Sequence, residues 1–190
     1  MLFIGTPLEE QALVHAMLCL LAGGQFFFAE VQPGVEVGEE PASGAALALQ
    51  TGVGGSWAGS LPRFFLTMRY EHAGIENGPS RRDYDDVAAG LRILIPVVEP
   101  VRIYGEALGG FTDAHATLAR YNLPTLESVR MRPLVQLAAG VQVRFHTNFS
   151  VGARIAQSWL DDSPDALALI GHTPIENTRT TLALVLGAHF

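Results

Sequence analysis

The sequence contains no lysine, so all twelve of its basic residues are arginines. An arginine presents a planar fork of donors that can grip a carboxylate two bonds at a time, which suits buried forked pairing. Charge of either sign is scarce. Asp, Glu, Lys and Arg make up 16% of the chain, against about 25% in an ordinary soluble domain. The net charge of −7 argues against nucleic acid as a partner. A single cysteine, Cys19, excludes an internal disulfide, so folding does not depend on oxidation. It follows Ala16, Met17 and Leu18, which is not the setting of a lipid-anchored cysteine. The apolar run 12–22, broken only by His15, is too short to cross a bilayer as a helix. His115, His146, His172 and His189 lack metal-ligand spacing, and the Gly52-Val53-Gly54-Gly55 stretch has no phosphate-loop pattern. No cofactor and no metal are expected.

The run 12–22 has the length of a signal-peptide core, and Ala22-Gly23-Gly24 supplies small residues for cleavage after Gly24. The segment before it has no basic residue and carries Glu9 and Glu10. A short amphipathic helix is the alternative. The chain therefore divides into residues 1–24, a signal peptide or helical segment, and residues 25–190.

From residue 26 the chain repeats one theme. Eight segments, at about 26–38, 46–57, 62–72, 85–95, 101–112, 133–146, 148–159 and 177–190, alternate between an apolar and a polar or small side chain. A strand turns its side chains to opposite faces with a period of two. Each segment is longer than the usual strand of five or six residues and matches the nine to eleven of a tilted membrane strand. The connections alternate as well. Those at 39–45, 73–84, 113–132 and 160–176 are long, whereas 58–61, 96–100 and the turn at Thr147 are short. A barrel with tight turns at one end and loops at the other has this rhythm.

The last segment ends in an aromatic: Leu182, Leu184, Leu186, Ala188 and Phe190 share its apolar face. It resembles the C-terminal strand by which bacterial outer-membrane barrels are recognised for assembly. With the even strand number and the strand lengths, the chain resembles the small OmpA-, OmpX- and OmpW-type barrels. That resemblance implies an all-β fold, an eight-stranded antiparallel up-and-down transmembrane barrel with a polar, side-chain-filled lumen. It implies an outer-membrane location with both termini periplasmic. The implied partners are outer-membrane lipid, lipopolysaccharide and the barrel-assembly machinery that meets Phe190. An envelope protein contacting loops 113–132 and 160–176 would be a further partner.

Parity then sorts the residues. The polar face carries Glu30, Glu36, Arg63, Arg69, Glu71, Asp86, Arg92, Arg102, Glu106, Arg144, Arg154 and Arg179. An eight-stranded barrel is just wide enough for side chains to fill it, and unpaired buried charges are costly. A salt-bridged plug is the expected content, and an ion path or gate is the functional alternative. The apolar face carries Phe27, Trp57, Phe64, Phe145, Phe149 and Phe190 toward the short-turn end. Tyr70, Phe111 and Trp159 lie toward the loop end. Such aromatics form girdles at membrane interfaces.

Three functions fit this frame: a structural or interaction barrel working through its loops, a narrow pore, and a lipid A-modifying enzyme. The third rests on His72, placed outward at the loop end. A nucleophile needs a base within hydrogen-bond reach, and the nearest downstream serine is Ser80. No catalysis is expected. In the fourth loop Asp161, Asp162 and Asp165 offer acidic groups to a divalent cation, without the spacing of a calcium loop.

Overall fold

The computed structural model describes residues 26–37, 43–56, 62–77, 80–118, 126–161 and 177–190. Residues 1–25, which include the segment read as a signal peptide or helix, and Trp57 lie outside the described residues. Eight strands follow in chain order: β1 (Phe26–Val37), β2 (Ser43–Ser56), β3 (Arg63–Asn77), β4 (Ser80–Val98), β5 (Val101–Leu118), β6 (Leu126–His146), β7 (Phe149–Leu160) and β8 (Thr178–His189). Each pairs antiparallel with its sequence neighbours, and β8 returns to β1 to close the barrel.

The chain end makes the closure. Phe27 N–H donates to the Phe190 carbonyl at 3.1 Å and Phe190 N–H donates to the Phe27 carbonyl at 2.8 Å. Their rings meet on the outer wall with centroids 6.1 Å apart. Pro33, which has no N–H to give, falls in the gap of the β1–β8 ladder between Val31↔Leu186 and Gly34↔Ala183.

Register fixes the shape. Stepping sideways from Phe27 passes Val53, Leu66, Leu91, Ala107, Leu137, Gln157 and Thr180. Thr180 then pairs with Val37. The circuit therefore returns to β1 ten residues from its start. With a rise of about 3.3 Å per residue and strands about 4.8 Å apart, this stagger tilts the strands by about 40°. Ten residues then climb about 25 Å along the barrel axis, the height of the apolar band of an outer-membrane barrel.

The burial pattern is the reverse of a soluble protein's. Leu49, Leu66, Met68, Val87, Leu91, Val135, Leu184 and their outward neighbours are exposed. Glu30, Arg69, Glu71, Asp86, Arg92, Glu106, Arg154 and Arg179 are all at most 5% exposed. The few polar outward groups near the loop end satisfy each other: Thr180 Oγ1 donates to Gln157 Oε1 at 2.8 Å.

Two of the expected loops are mostly strand. Residues 73–77 extend β3 and 80–84 begin β4, so the connection expected at 73–84 narrows to residues 78–79. Residues 113–118 belong to β5 and 126–132 to β6, which narrows 113–132 to 119–125. At the other end, 96–98 belong to β4, and the turn expected at 96–100 is Glu99-Pro100, joined by a cis peptide bond.

The reason is a change in the meaning of parity. Below this level polar residues face in. Above it Ala73, Ile75, Tyr84, Ala114 and Ala116 are buried. Asp83, Asp85, Asp113, His115 and Thr117 face out, partly or fully exposed, beside Glu76 and Arg81. The extended wall of β3–β5 thus has the apolar-in, polar-out pattern of a protein in water, with Arg82 its buried exception, whereas β6 keeps Val129 and Met131 exposed. The inversion falls at the cross-strand row His72↔Asp85↔Asp113.

Candidate functional site

The lumen is the most elaborate part of the molecule, and its base is built on a glycine device. Phe28 lies directly across from Gly52, and Tyr104 across from Gly140. A Cβ on either glycine would come within 2.4 Å of the facing ring, so only glycine lets each ring lie against the wall. The two rings hold the Arg92 guanidinium between them, its Cζ 4.3 Å from the Phe28 centroid and 4.4 Å from that of Tyr104. Phe65 meets Phe28 edge-on at 5.3 Å. Gly140→Val is expected to displace Tyr104 and lower the unfolding free energy by about 1–3 kcal/mol, the usual cost of overpacking a core. A urea titration in lipid vesicles reads the change.

Arg92 ties three strands together across the barrel. It donates through Nη1 and Nη2 to the two oxygens of Glu30, the Nη2 bond at 2.7 Å, and through Nε to Glu106. Glu106 also accepts from Arg154 Nε at 3.1 Å and Gln50 Nε2 at 2.7 Å. Glu30 also accepts from Gln142 at 2.6 Å and Gln32 at 2.7 Å. One layer higher, Arg69 donates to Glu71 at 2.9 and 3.0 Å, and to Gln32 and Gln50. Arg154 reaches Gln136 at 2.8 Å.

A second knot lies toward the loop end. Arg179 Nη2 donates to Asp86 Oδ2 at 2.7 Å. Arg179 Nη1 stands 2.9 Å from Glu36 Oε1, an ion pair in which the N–H is not aimed at the oxygen. The Arg179 guanidinium covers the Tyr84 ring at 4.2 Å. Above it Ile75, Tyr84, Ala114, Ala116, Leu134 and Leu160 form an apolar cluster.

Nine of the twelve lumen charges read from parity thus meet in two connected knots: Glu30, Glu36, Arg69, Glu71, Asp86, Arg92, Glu106, Arg154 and Arg179. Arg63, Arg102 and Arg144 do not join them; they sit half-buried at the short-turn mouth. Parity reading missed Arg82 and Arg132, both buried, because they fall in segments read as loops. It also left out the glutamines that complete the network. Their signal was present, since Gln32, Gln50, Gln136 and Gln142 share the polar face.

The aromatics Phe27, Phe64, Phe145, Phe149 and Phe190 are exposed on the outer wall toward the short turns. Tyr70, Phe111 and Trp159 are exposed toward the loops. Beside Tyr70, Asp85 Oδ1 accepts from the Tyr70 hydroxyl at 2.7 Å and lies 3.0 Å from His72 Nδ1. Asp85 stands just beyond the apolar band. The Tyr70 hydroxyl holds its carboxyl below the usual carboxylate range against the opposing effect of burial, and His72 adds a smaller pull in the same direction as Tyr70. Among the described residues His72 makes no other side-chain hydrogen bond.

A closed antiparallel barrel that is apolar outside and charged inside has the fold of a transmembrane β-barrel. More narrowly, it is the fold of the small eight-stranded outer-membrane barrels. The chain superposes on Ail, the attachment invasion locus protein of Yersinia pestis, with a TM-score of 0.55. That match has 17% identity and covers 88% of this chain and 99% of Ail. A major outer membrane protein of Thermus thermophilus matches with a TM-score of 0.58 and 13% identity, over 88% of this chain and 100% of that one. The outer membrane enzyme PagL matches with a TM-score of 0.52 and 15% identity, over 83% and 97%. No protein-family model matches the chain, and no curated protein matches it in sequence.

Proposed function

We propose that this protein is an integral outer-membrane barrel with a closed lumen, acting as a structural or interaction protein through its loop end. The observation that carries the reading is the buried charge network across the lumen. Glu30, Arg92, Glu106 and Arg154 are bonded to one another from wall to wall, each at most 5% exposed, which supports a plug at their level in place of a water-filled path. The reversed burial pattern supports residence in a bilayer. The inversion at His72, Asp85 and Asp113 supports an outer interface there, with β3–β6 standing above it.

In this reading the loop end faces outward and both ends of the barrel chain lie in the periplasm. The aromatics of the outer wall sit at the two interfaces. Phe190 and its strand meet the assembly machinery. Lipopolysaccharide meets the belt of Tyr70, His72, Asp85, Asp113 and His115. An envelope partner would meet the exposed apolar residues Val129 and Met131 and residues 119–125 and 162–176, which include Asp162 and Asp165.

The test is electrical. The refolded protein should migrate differently in detergent gels when unheated and heated, and should give no resolvable steps in a planar bilayer. Steady conductance would overturn the plug and favour the narrow pore. PagL, a similar barrel, is an enzyme, and the His72–Asp85 pair supplies the base and carboxylate of a hydrolytic site. No serine, threonine or cysteine side chain is hydrogen-bonded to His72 among the described residues. Loss of lipid turnover in His72→Ala would establish that alternative.

A further inference from the structure

The short-turn mouth differs from the rest of the lumen in its charge balance. Arg63 begins β3, Arg102 is the second residue of β5, and Arg144 lies two residues before the end of β6. The three guanidiniums lie within electrostatic reach of one another. Farther in, Arg69, Arg92, Arg154 and Arg179 each have a carboxylate within 3.1 Å. At the mouth, among the described residues, Arg102 and Arg144 have none within salt-bridge distance. The Arg144 Nε is buried with no acceptor. Among the described residues, Glu99 is the one carboxylate lining the recess that holds all three arginines.

That recess measures about 720 Å³ and has two kinds of wall. Its inner side is Arg63, Arg102 and Arg144. Its outer side is formed by Val97, Val98 and Phe145, which are 61%, 62% and 67% exposed on the face that carries the apolar band. Arg102 and Arg144 repel one another with Glu99 as the one carboxylate in the recess among the described residues, and the cost of such an excess of like charge is relieved when an anion enters. Guanidinium forks match phosphate oxygens in geometry. An anion held by the arginines with a hydrocarbon chain along Val97, Val98 and Phe145 would fill both walls at once.

We propose that this mouth is a binding site for the phosphate of an anionic phospholipid, taken from the leaflet that meets the short turns. Arg102 and Arg144 grip the phosphate oxygens, Arg63 contributes charge, and the apolar rim holds the upper acyl chain. The proposal rests on the barrel reading, and its failure is separable from that reading's. Heat-modifiable mobility reports the barrel, and lipid retention reports the site.

The full chain is reconstituted in bilayer discs of phosphatidylcholine with a minority of phosphatidylglycerol, then released for native mass spectrometry. Phosphatidylglycerol should be retained in preference to phosphatidylcholine. Arg102→Gln and Arg144→Gln should each lower that preference about tenfold, as expected for one lost charge-assisted contact. Arg81→Gln, at the opposite end, should leave it unchanged. In pure phosphatidylcholine the double variant should unfold at equal or higher urea than the parent, because it removes repulsion. Equal retention by parent and double variant would overturn the site. Full displacement of the lipid by millimolar inorganic phosphate would overturn its assignment to a lipid.

Discussion

Glu106→Ala is expected to cost about 3–5 kcal/mol of unfolding free energy, the range for breaking a buried ion pair from one side. Glu106 is the acceptor for Arg92, Arg154 and Gln50 together. Removing it leaves Arg154 without a carboxylate and Arg92 with Glu30 alone. Neither guanidinium can reach water, since their side chains are at most 1% exposed. The loss should appear as a lower urea midpoint in vesicles. Arg81→Ala is the control. Its pairs with Glu76 and Asp83 are at the surface, with the Arg81 side chain 58% exposed, and water screens such pairs so that they add little to stability. A Glu106→Ala midpoint equal to that of Arg81→Ala would show that the lumen knot contributes little.

The second large effect lies on the outer wall. Leu91 is 54% exposed and central in the lipid-facing series Val87, Ala89, Leu91, Ile93, Ile95. Arginine at an exposed position of a soluble protein changes stability by about 0.5 kcal/mol or less. At the midplane of a bilayer it costs about 2–4 kcal/mol. Leu91→Arg should therefore destabilise the vesicle-embedded protein by that amount. Thr117→Arg, outward on β5 above the His72–Asp85–Asp113 row, should be close to neutral. Equal effects at the two positions would remove the membrane boundary from where the inversion places it.

Much of this fold could be read before any coordinates, because strand parity is a local property. Leu182 to Phe190 alternates in sequence as it does on the wall, and strand count and antiparallel order followed from the spacing of such segments. The extension of β3–β6 was not read. Ala73, Ile75 and Tyr84 keep the period of two, but the apolar side there faces inward, with Arg82 the exception, and a pattern sought as polar-in ends at His72. The charged residues of the lumen were legible as a set through their shared face. Their partners were not. Glu30 and Arg92 stand on strands that are not neighbours, and Gln142 reaches Glu30 from a third. Only closure of the barrel brings them within reach. The recess at Arg63, Arg102 and Arg144 was hidden for the same reason, since parity places the arginines inside without showing that the inner carboxylates are engaged by Arg69, Arg92, Arg154 and Arg179.

The most direct measurement of the inverted barrel is depth-resolved quenching. Single cysteines replace Leu91, Leu184 and Thr117 in a Cys19→Ser background, carry a fluorescent label, and are placed in vesicles of acyl-chain-brominated lipid. Labels at 91 and 184 should be strongly quenched by the bromines and shielded from aqueous iodide, and the label at 117 should show the reverse. Iodide access at all three positions, with no quenching by bromine, would contradict a barrel whose apolar wall faces lipid.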